Sequence, residues 1–571
     1  MELFGRKTVI STRFRSVFVA SMVSMLSSYI LMLTDNIVAG QIVGGDAVAA
    51  MTLVFPLFTF MVFVSYVISD GLVMMASYAN GRGDRDEVDQ LFSLGMILSV
   101  GASLIFFAAL IFLREEILTF WEISPHLQAY SHDYYDGLKF LALFEFVNIF
   151  LYTIFVAEGM ENECVKASGV AFVVNVALEI ILCKTIGVMG IGLATTLGTL
   201  TSLLVQAYYL RRSNLHFVWY FDAKKTWQGI FYSFYHSIDM LCLSLLPLLL
   251  AHEVILRFGE GELIVVTVVV NFLTLVISIY TGLVDCLQPM VCQYYAEKNL
   301  HSMIKTMQIG IAVTVAVSLL IIALGMIFAD FLPALFGVRE PYMENLTARA
   351  LRFFMPFTVF MGVSLMLANY YIYIEKLNFG ALIKILLLLI LPYVMMRLVG
   401  PVFSTQFFWL CFGASFLVSF LLNLLFVKFF RERANVLLID EKKLARQLSY
   451  DVDTKAEEIL AVTKQLEEDL ARLGVSEKTR NRLVLFIEEF GLHAVERAGE
   501  KIFQLEFSIL LEGNDSATLI IRDDGEPFDV VKNAQEEQFD FREYFIESVT
   551  VKTVSRSYYS SGDENRVVLK I

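Results

Sequence analysis

GGDAVAAMTLV, residues 44–54, has an echo in GEGELIVVTVV, residues 259–269, at an offset of 215–216. Gly95 and Gly310 stand in matching contexts, FSLG and MQIG, again 215 apart. The run ILTFWEI (117–123) matches PALFGV (333–338), with Trp121 over Phe336 at the same offset. The chain therefore carries two similar halves in tandem, and what each half is made of decides the fold.

Of the 571 residues, 57% are hydrophobic and 49 are Phe. The mean hydropathy of +0.65 lies far outside the range of soluble globular proteins and points to a polytopic membrane protein. Crossing ~30 Å of hydrocarbon takes about 20 apolar residues. Such stretches lie near 14–36, 50–77, 90–112, 134–157, 167–184, 190–210, 230–256, 263–290, 304–328, 346–373, 379–398 and 404–429. Six spans followed by six in the same orientation make a parallel repeat, whose axis runs along the membrane normal. Transporters built this way hold substrate and coupling ion between or within the halves, although a channel could share the repeat.

Arg6, Lys7, Arg13 and Arg15 precede SVFVASMVSMLSSYILML. That segment is long and rich in small residues, and it lacks a small-x-small cleavage site, so it reads as a retained first span. Arg82/Arg85, Arg211/Arg212 with Lys224/Lys225, Lys298/Lys305 and Lys428/Arg431/Arg433 fall on the same side as the N-terminus. Arg339, Arg349 and Arg352 blur this bias without reversing it. The expectation is a multi-pass protein of the cell (inner) membrane with both termini in the cytoplasm.

From residue 431 onward the character changes. This tail holds 20 Lys/Arg and 29 Asp/Glu, a net charge of −9 out of −14 for the whole chain. An acidic, water-soluble domain with its own core is expected there. All six cysteines (Cys164, Cys183, Cys242, Cys286, Cys292, Cys411) lie in the membrane part and none forms a CxxC pair. They read as small apolar residues in helices, not as redox or metal sites. The resulting organisation is a six-helix lobe (1–213), an inter-lobe linker (214–230), a second six-helix lobe (231–430) and a cytoplasmic domain (431–571).

TDNIVAGQIVGGDAVAAMTLVFP (34–56), GLVMMASYANGRGDRDEV (71–88) and QPMVCQYYAEKN (288–299), together with the six-plus-six layout, resemble the multidrug and toxic compound extrusion (MATE) family. The resemblance covers about residues 10–430. It implies an antiporter that exports organic cations or amphiphiles against Na+ or H+. An Asp in the first helix, Asn-x-x-x-Asp in the fifth and Thr in the sixth resemble the cation site of prokaryotic members. On that match Asp35, Asn175, Glu179 and Thr195 carry over, with Glu179 one methylene longer than the usual Asp.

The chemistry of these residues fits independently. A carboxylate at the bilayer centre costs roughly 2.5–3.5 kcal/mol by insertion scales, so an intramembrane carboxylate is a functional candidate. Asn175 and Glu179 are four apart on one helix and share a face. Two carboxylates, an amide and a hydroxyl offer the oxygens a hard cation requires, and two neighbouring buried carboxylates can equally hold a proton. The competing reading makes Asp35 a helix cap and Asn175 glue between helices. In the second half Glu253, Asp285, Asn369 and Tyr370 are polar positions of a candidate pathway, as are Glu375, Glu145 and Asp239. Lys384 and Arg397 read as snorkelling to the interface.

In the tail, RQLSYDV reads as a strand and AEEILAVTKQLEEDLARLG as an amphipathic helix closed by Gly474. A second helix starts at Ser476 and carries LVLFIEEFGLHAVERAGE (483–500). FQLEFSILLEG and ATLIIRD alternate as strands around Gly513-Asn514-Asp515, and RVVLKI closes the domain. This order, with EEFGLHAVER and IRDDGEPFD, resembles the histidine-kinase-like ATPase fold in its anti-sigma-factor kinase branch, an α/β sandwich. The resemblance implies roles for Glu489 (catalytic carboxylate), position 493 (the magnesium-holding Asn, here His493), Asp523 (adenine recognition) and Gly525 (close approach to the base).

Two departures make this a degenerate site. An imidazole is a poor partner for a hard, oxygen-seeking ion. No Gly occurs between Gly525 and Gly562, so the phosphate loop expected near 540–547 is replaced by DFREYFIE. The expectation is therefore a transporter and not an enzyme, with Na+ or H+ as coupling ion and neither ATP nor Mg2+ as cofactor. The implied partners are a small-molecule substrate, membrane lipid, and a cytoplasmic protein or a second copy through the C-terminal domain, with no nucleic acid. A flippase for a lipid-linked amphiphile and an ATP-responsive membrane-tethered signalling protein stand as alternatives.

Overall fold

The computed structural model describes residues 7–120, 125–259, 262–335, 340–398, 405–430, 436–499, 501–526, 555–561 and 564–570. The first lobe comprises α1 (Val9–Ile42), α2 (Gly45–Arg82), α3 (Arg85–Phe112), α4 (Arg114–Phe120), α5 (Pro125–Leu138), α6 (Glu145–Ala157), α7 (Glu161–Ile186) and α8 (Val188–Leu210). A connecting helix, α9 (Ala223–His236), begins inside the stretch read as linker. The second lobe comprises α10 (Ile238–Phe258), α11 (Leu263–Ala296), α12 (Leu300–Phe328), α13 (Leu332–Leu335), α14 (Pro341–Phe354), α15 (Thr358–Tyr373), α16 (Leu377–Ile385), α17 (Leu391–Leu398) and α18 (Thr405–Phe430).

Among the described residues, 11 helices are long and apolar enough to cross a membrane, or 12 with one bent pair. That pair is the expected fourth span. It bends by 46° between Leu127–Leu143 and Glu145–Ala157, where Lys139–Leu143 tightens into a 3-10 turn. α14 and α15 likewise join through a 3-10 turn at Met355–Phe357, which contains Pro356. A proline cannot donate its backbone N–H, so the α-helical ladder is interrupted there.

The repeat is visible in the backbone. Gly44 and Gly259 both have positive φ (129° and 90°), as do Gly83 and Lys298 (76° and 60°) and Gly159 and Glu375 (74° and 62°). Each pair is separated by 215 or 216 residues, so three inter-helix turns are built alike in both lobes. Asp84 caps α3 by accepting from Glu87 N–H, and Asn299 caps α12 by accepting from Ser302 N–H, again 215 apart. Lys298 and Glu375 hold a left-handed conformation that costs an L-residue about 1–2 kcal/mol, where the first lobe uses glycine. Gly95 allows α3 to approach α6, since a Cβ there would lie 2.1 Å from the Phe150 ring. Its counterpart Gly310 faces Met366 on α15 in the same way.

The C-terminal segment opens with α19 (Glu441–Leu444) and β1 (Gln447–Asp453), followed by α20 (Ala456–Arg472) and α21 (Glu477–Ala498). β2 (Gln504–Leu511), β3 (Ala517–Asp523), β4 (Ser555–Ser561) and β5 (Glu564–Lys570) complete a five-stranded antiparallel sheet of order β1-β2-β3-β5-β4. Gly474 closes α20 in the left-handed conformation (φ 71°), as its sequence position requires. One face of the sheet (Leu505, Phe507, Ile509, Leu519, Ile521, Val567, Leu569) packs with Leu466, Leu470, Leu483, Phe486 and Phe490 of the two helices into a core. The expected strands and helices of the tail are all present, and the sheet gains β4 beyond them. The position expected for a phosphate loop, 540–547, lies outside the described residues, as do Trp121, Phe336 and Arg339.

Candidate functional site

The sixth and fifth spans, α8 and α7, pack face to face over their length because glycines remove side chains between them. A Cβ on Gly190 would lie 2.4 Å from Leu182 C, and one on Gly198 would lie 2.9 Å from Asn175 Cβ. α1 also packs along α7. This packing brings the Asp35 carboxyl of α1 against that of Glu179 on α7. Asn175 stands one turn before Glu179, and both are buried, at 3% and 0% exposure. Asp35 Oδ1, Asn175 Oδ1 and both Glu179 oxygens are buried without a hydrogen-bond partner among the described residues. Four acceptor oxygens with no donor form an arrangement that demands a proton or a cation, because an unsatisfied buried acceptor costs about 1–3 kcal/mol and more when charged.

Three of the four predicted N-lobe residues thus meet. The fourth, Thr195, donates its hydroxyl to Ile191 O within α8 at 3.2 Å. A residue absent from the sequence reading joins them: Tyr134 of α5 is buried and feels the charge of both Asp35 and Glu179. Its phenol is one polar group on a short, weakly apolar helix before the bend, and nothing in its spacing distinguishes it from a membrane-interface aromatic.

The second-lobe candidates divide. Glu253 is fully buried but compensated, with Arg257 and Arg397 each at 3.1 Å. Tyr370 donates to Leu437 O at 2.8 Å and Asn369 Nδ2 donates to Leu365 O at 2.9 Å, while Asn369 Oδ1 is buried without a partner among the described residues. Glu375 accepts from Tyr232 Oη at 3.4 Å, and Glu145 faces Thr199 and Asn148. Asp285 shares its surroundings with Asp70, His236, Asp239 and Lys384.

Lys384 does not snorkel as expected. It is fully buried, donates to His236 O and lies 3.5 Å from Asp239 Oδ1. Arg397 is half exposed, with its guanidinium paired to the buried Glu253. His236 itself bridges the lobes, with Nδ1 3.0 Å from Asp70 Oδ2 on α2 and Nε2 3.0 Å from Tyr373 Oη. Asp70 stands as a carboxylate at the end of the apolar run 57–69, but its imidazole partner lies 166 residues away.

In the C-terminal sheet, Asp523 is 3% exposed and its Oδ1 is already in use. It accepts from Asn565 Nδ2 at 2.9 Å, Gly525 N at 3.0 Å and Arg497 at 3.3 Å. Burial raises the Asp523 carboxyl above its ordinary value despite these bonds. The carboxylate proposed to read adenine is therefore part of the domain's internal network. Phe486 and Phe490 stack at 6.0 Å on the inner stripe of α21, while Glu489 and His493 sit half-buried one turn apart.

The MatE family model matches residues 20–181 and 237–396, one match in each lobe and together more than half of the chain. No curated protein matches the chain. Among solved structures, an outward-facing conformation of a multidrug resistance MATE family transporter of the MOP superfamily is similar. It has 18% identity, covers 74% of this chain and 96% of its own, and gives a TM-score of 0.69. A MATE protein in the bent conformation gives 18%, 74%, 95% and 0.67. A MOP superfamily transporter from Pyrococcus furiosus, titled for the reverse polarity of its binding pocket, gives 18%, 74%, 96% and 0.68. At that identity the likeness shows the fold. Paired lobes, a twelve-span layout and the two-part match agree: the chain belongs to the MatE family, and it is a membrane transporter and not an enzyme.

Proposed function

We propose that the protein is a secondary active antiporter that exports organic cations or amphiphilic small molecules, driven by Na+ or H+ bound at Asp35, Asn175 and Glu179. The observation that carries this is the set of four buried acceptor oxygens with no donor. Such a set is stable with one proton shared between the carboxyls, or with a monovalent hard cation among them. Coupling follows from that requirement. An incoming ion neutralises the site, and a cationic substrate competes for the same negative field.

The C-terminal domain has a regulatory or docking role on the cytoplasmic side of the cell membrane. Its resemblance to ATPase folds is one of element order, and the engagement of Asp523 by Asn565, Gly525 and Arg497 supports a domain that no longer turns over nucleotide. Its Arg566 contacts Asn80 O and Gly81 O of the first lobe and Glu297 of the second, which supports a role in the transport cycle.

The test is efflux from proteoliposomes of a fluorescent lipophilic cation, with Na+ and H+ gradients imposed separately. One gradient should drive transport in the native protein, and Asp35→Asn should abolish the drive. Normal gradient-driven transport in Asp35→Asn would place the coupling site elsewhere.

A further inference from the structure

The sheet face turned away from α20 and α21 carries Glu506, Arg522 and Arg566 side by side across β2, β3 and β5, and it is buried. Arg522 and Glu506 are fully buried, Arg566 is 3% exposed and Glu564 is 8% exposed. What covers this face is the end of the helix bundle where α1 begins, α2 turns into α3 and α11 turns into α12.

Six ionised groups meet there, three arginines and three glutamates, so the charges balance. Arg522 pairs with Glu297 just beyond α11, with Glu506 at 3.3 Å and with Glu564 at 3.1 Å. Arg566 Nε lies 3.0 Å from Glu297, and the same guanidinium donates to Asn80 O at 2.5 Å and Gly81 O at 2.7 Å. Arg13 of α1 reaches Glu564 at 2.7 Å and Gln293 of α11 at 3.0 Å. Ser302 of α12 donates to Glu506 at 2.7 Å. Around the cluster Lys305 pairs with Asp451, and His301 Nε2 bonds Gln447 O at 3.1 Å.

Two of these arginines each hold both lobes at once. Arg566 grips the C-terminal carbonyls of α2 in the first lobe and Glu297 in the second. Arg13 belongs to the first lobe and grips Gln293 in the second. Beneath them the lobes touch without a gap, since a Cβ on Gly81 would lie 2.4 Å from Gln293 O and 2.6 Å from Ala296 Cβ. Rocking of one half against the other is the motion by which two-lobe transporters alternate access. Opening this end requires Gly81 to leave Gln293, which Arg566 and Glu297 together oppose.

We propose that the C-terminal sheet is a clamp that locks the two lobes together at this end of the bundle, so that access from this side requires its release. The proposal rests on the transporter reading above. It assigns the domain a mechanical, autoinhibitory function that needs no nucleotide, with the buried arginine–glutamate cluster as the latch.

The test uses the full chain in lipid nanodiscs, with spin labels at Asp86→Cys in the first lobe and Lys376→Cys in the second, both exposed at this end. The six native cysteines are buried, and the chain without added cysteines is the labelling control. The native background should give one narrow distance, and Arg566→Gln should add a second, longer population. Arg446→Gln, whose guanidinium bonds Gly513 O within the domain, should keep the native distance. An unchanged single distance in Arg566→Gln overturns the clamp. If that variant is not monodisperse, Arg13→Gln leaves the sheet intact and decides by the same two outcomes. No transport is measured, so a failed clamp leaves the antiport reading standing, and a failed coupling assay leaves the clamp standing.

Discussion

Arg566 Nε lies 3.0 Å from Glu297 Oε1, joining the last strand of the chain to the end of α11 through two nearly dry side chains. Removing one partner of a buried ion pair typically costs about 3–5 kcal/mol, because the other charge stays buried without compensation. Glu297→Gln leaves Arg566 in that condition and removes one of the three carboxylates around Arg522. The expected outcome is release of the C-terminal domain before the membrane part unfolds, read as an early, separate transition in thermal scans followed by tail-specific proteolysis.

Acid should produce the same release. Burial raises the Glu297 carboxyl, but Arg522 and Arg566 outweigh it and hold the group below its ordinary 4.5. A carboxyl with a depressed folded value contributes stability that is present above its unfolded value and lost as pH falls through the folded one. The contribution of Glu297 to docking should therefore be constant from pH 7 to about 5 and weaken only below about 4.5. Hydrogen exchange of 504–511 across that range measures it, and Glu297→Gln should flatten the dependence assigned to this group.

Asp35 and Glu179 make a prediction about ion linkage. A ligand that binds only the folded state stabilises it by about 2.7 kcal/mol at a hundredfold excess over its Kd. Na+ or protons should raise the melting temperature of the native protein, and Asp35→Asn or Glu179→Gln should remove that increment. Glu179→Asp restores the family's usual length and should retain it. A melting temperature equally responsive in all four proteins would assign the linkage to another site.

Asp523 predicts the behaviour toward nucleotide. Its Oδ1 is occupied by Asn565, Gly525 and Arg497, so calorimetric titration of the full chain with ATP and Mg2+ should show no saturable heat. Asn565→Ala removes one donor and should destabilise the domain by about 1–3 kcal/mol without creating a site.

Gly71 should tolerate no side chain. Its Cβ would lie 1.9 Å from Gly229 O, where α2 meets α9 and Gly71 N–H donates to Ser233 Oγ at 2.5 Å. Gly71→Val should cost about 1–3 kcal/mol through overpacking and lower expression of folded protein. Gly101→Val, which meets nothing within 4 Å, is the matched control.

The sequence by itself determined the spans, their duplication and the strand and helix order of the tail. Those signals are local: apolar runs of bilayer length, a 215-residue offset and residue periods of two and 3.6. It also placed Asn175 and Glu179 on one helical face, because four residues make about one turn. It showed FQLEFSILLEG and ATLIIRD as alternating strands, with no sign of what faces their polar side. Only the tertiary structure decided that this polar face is buried against both lobes, that Lys384 is sealed rather than snorkelling, and that Tyr134 and Asp70 belong to polar clusters. Each of these depends on pairs separated by 45 to 551 residues, and a long-range contact between polar groups leaves no periodic trace in the chain.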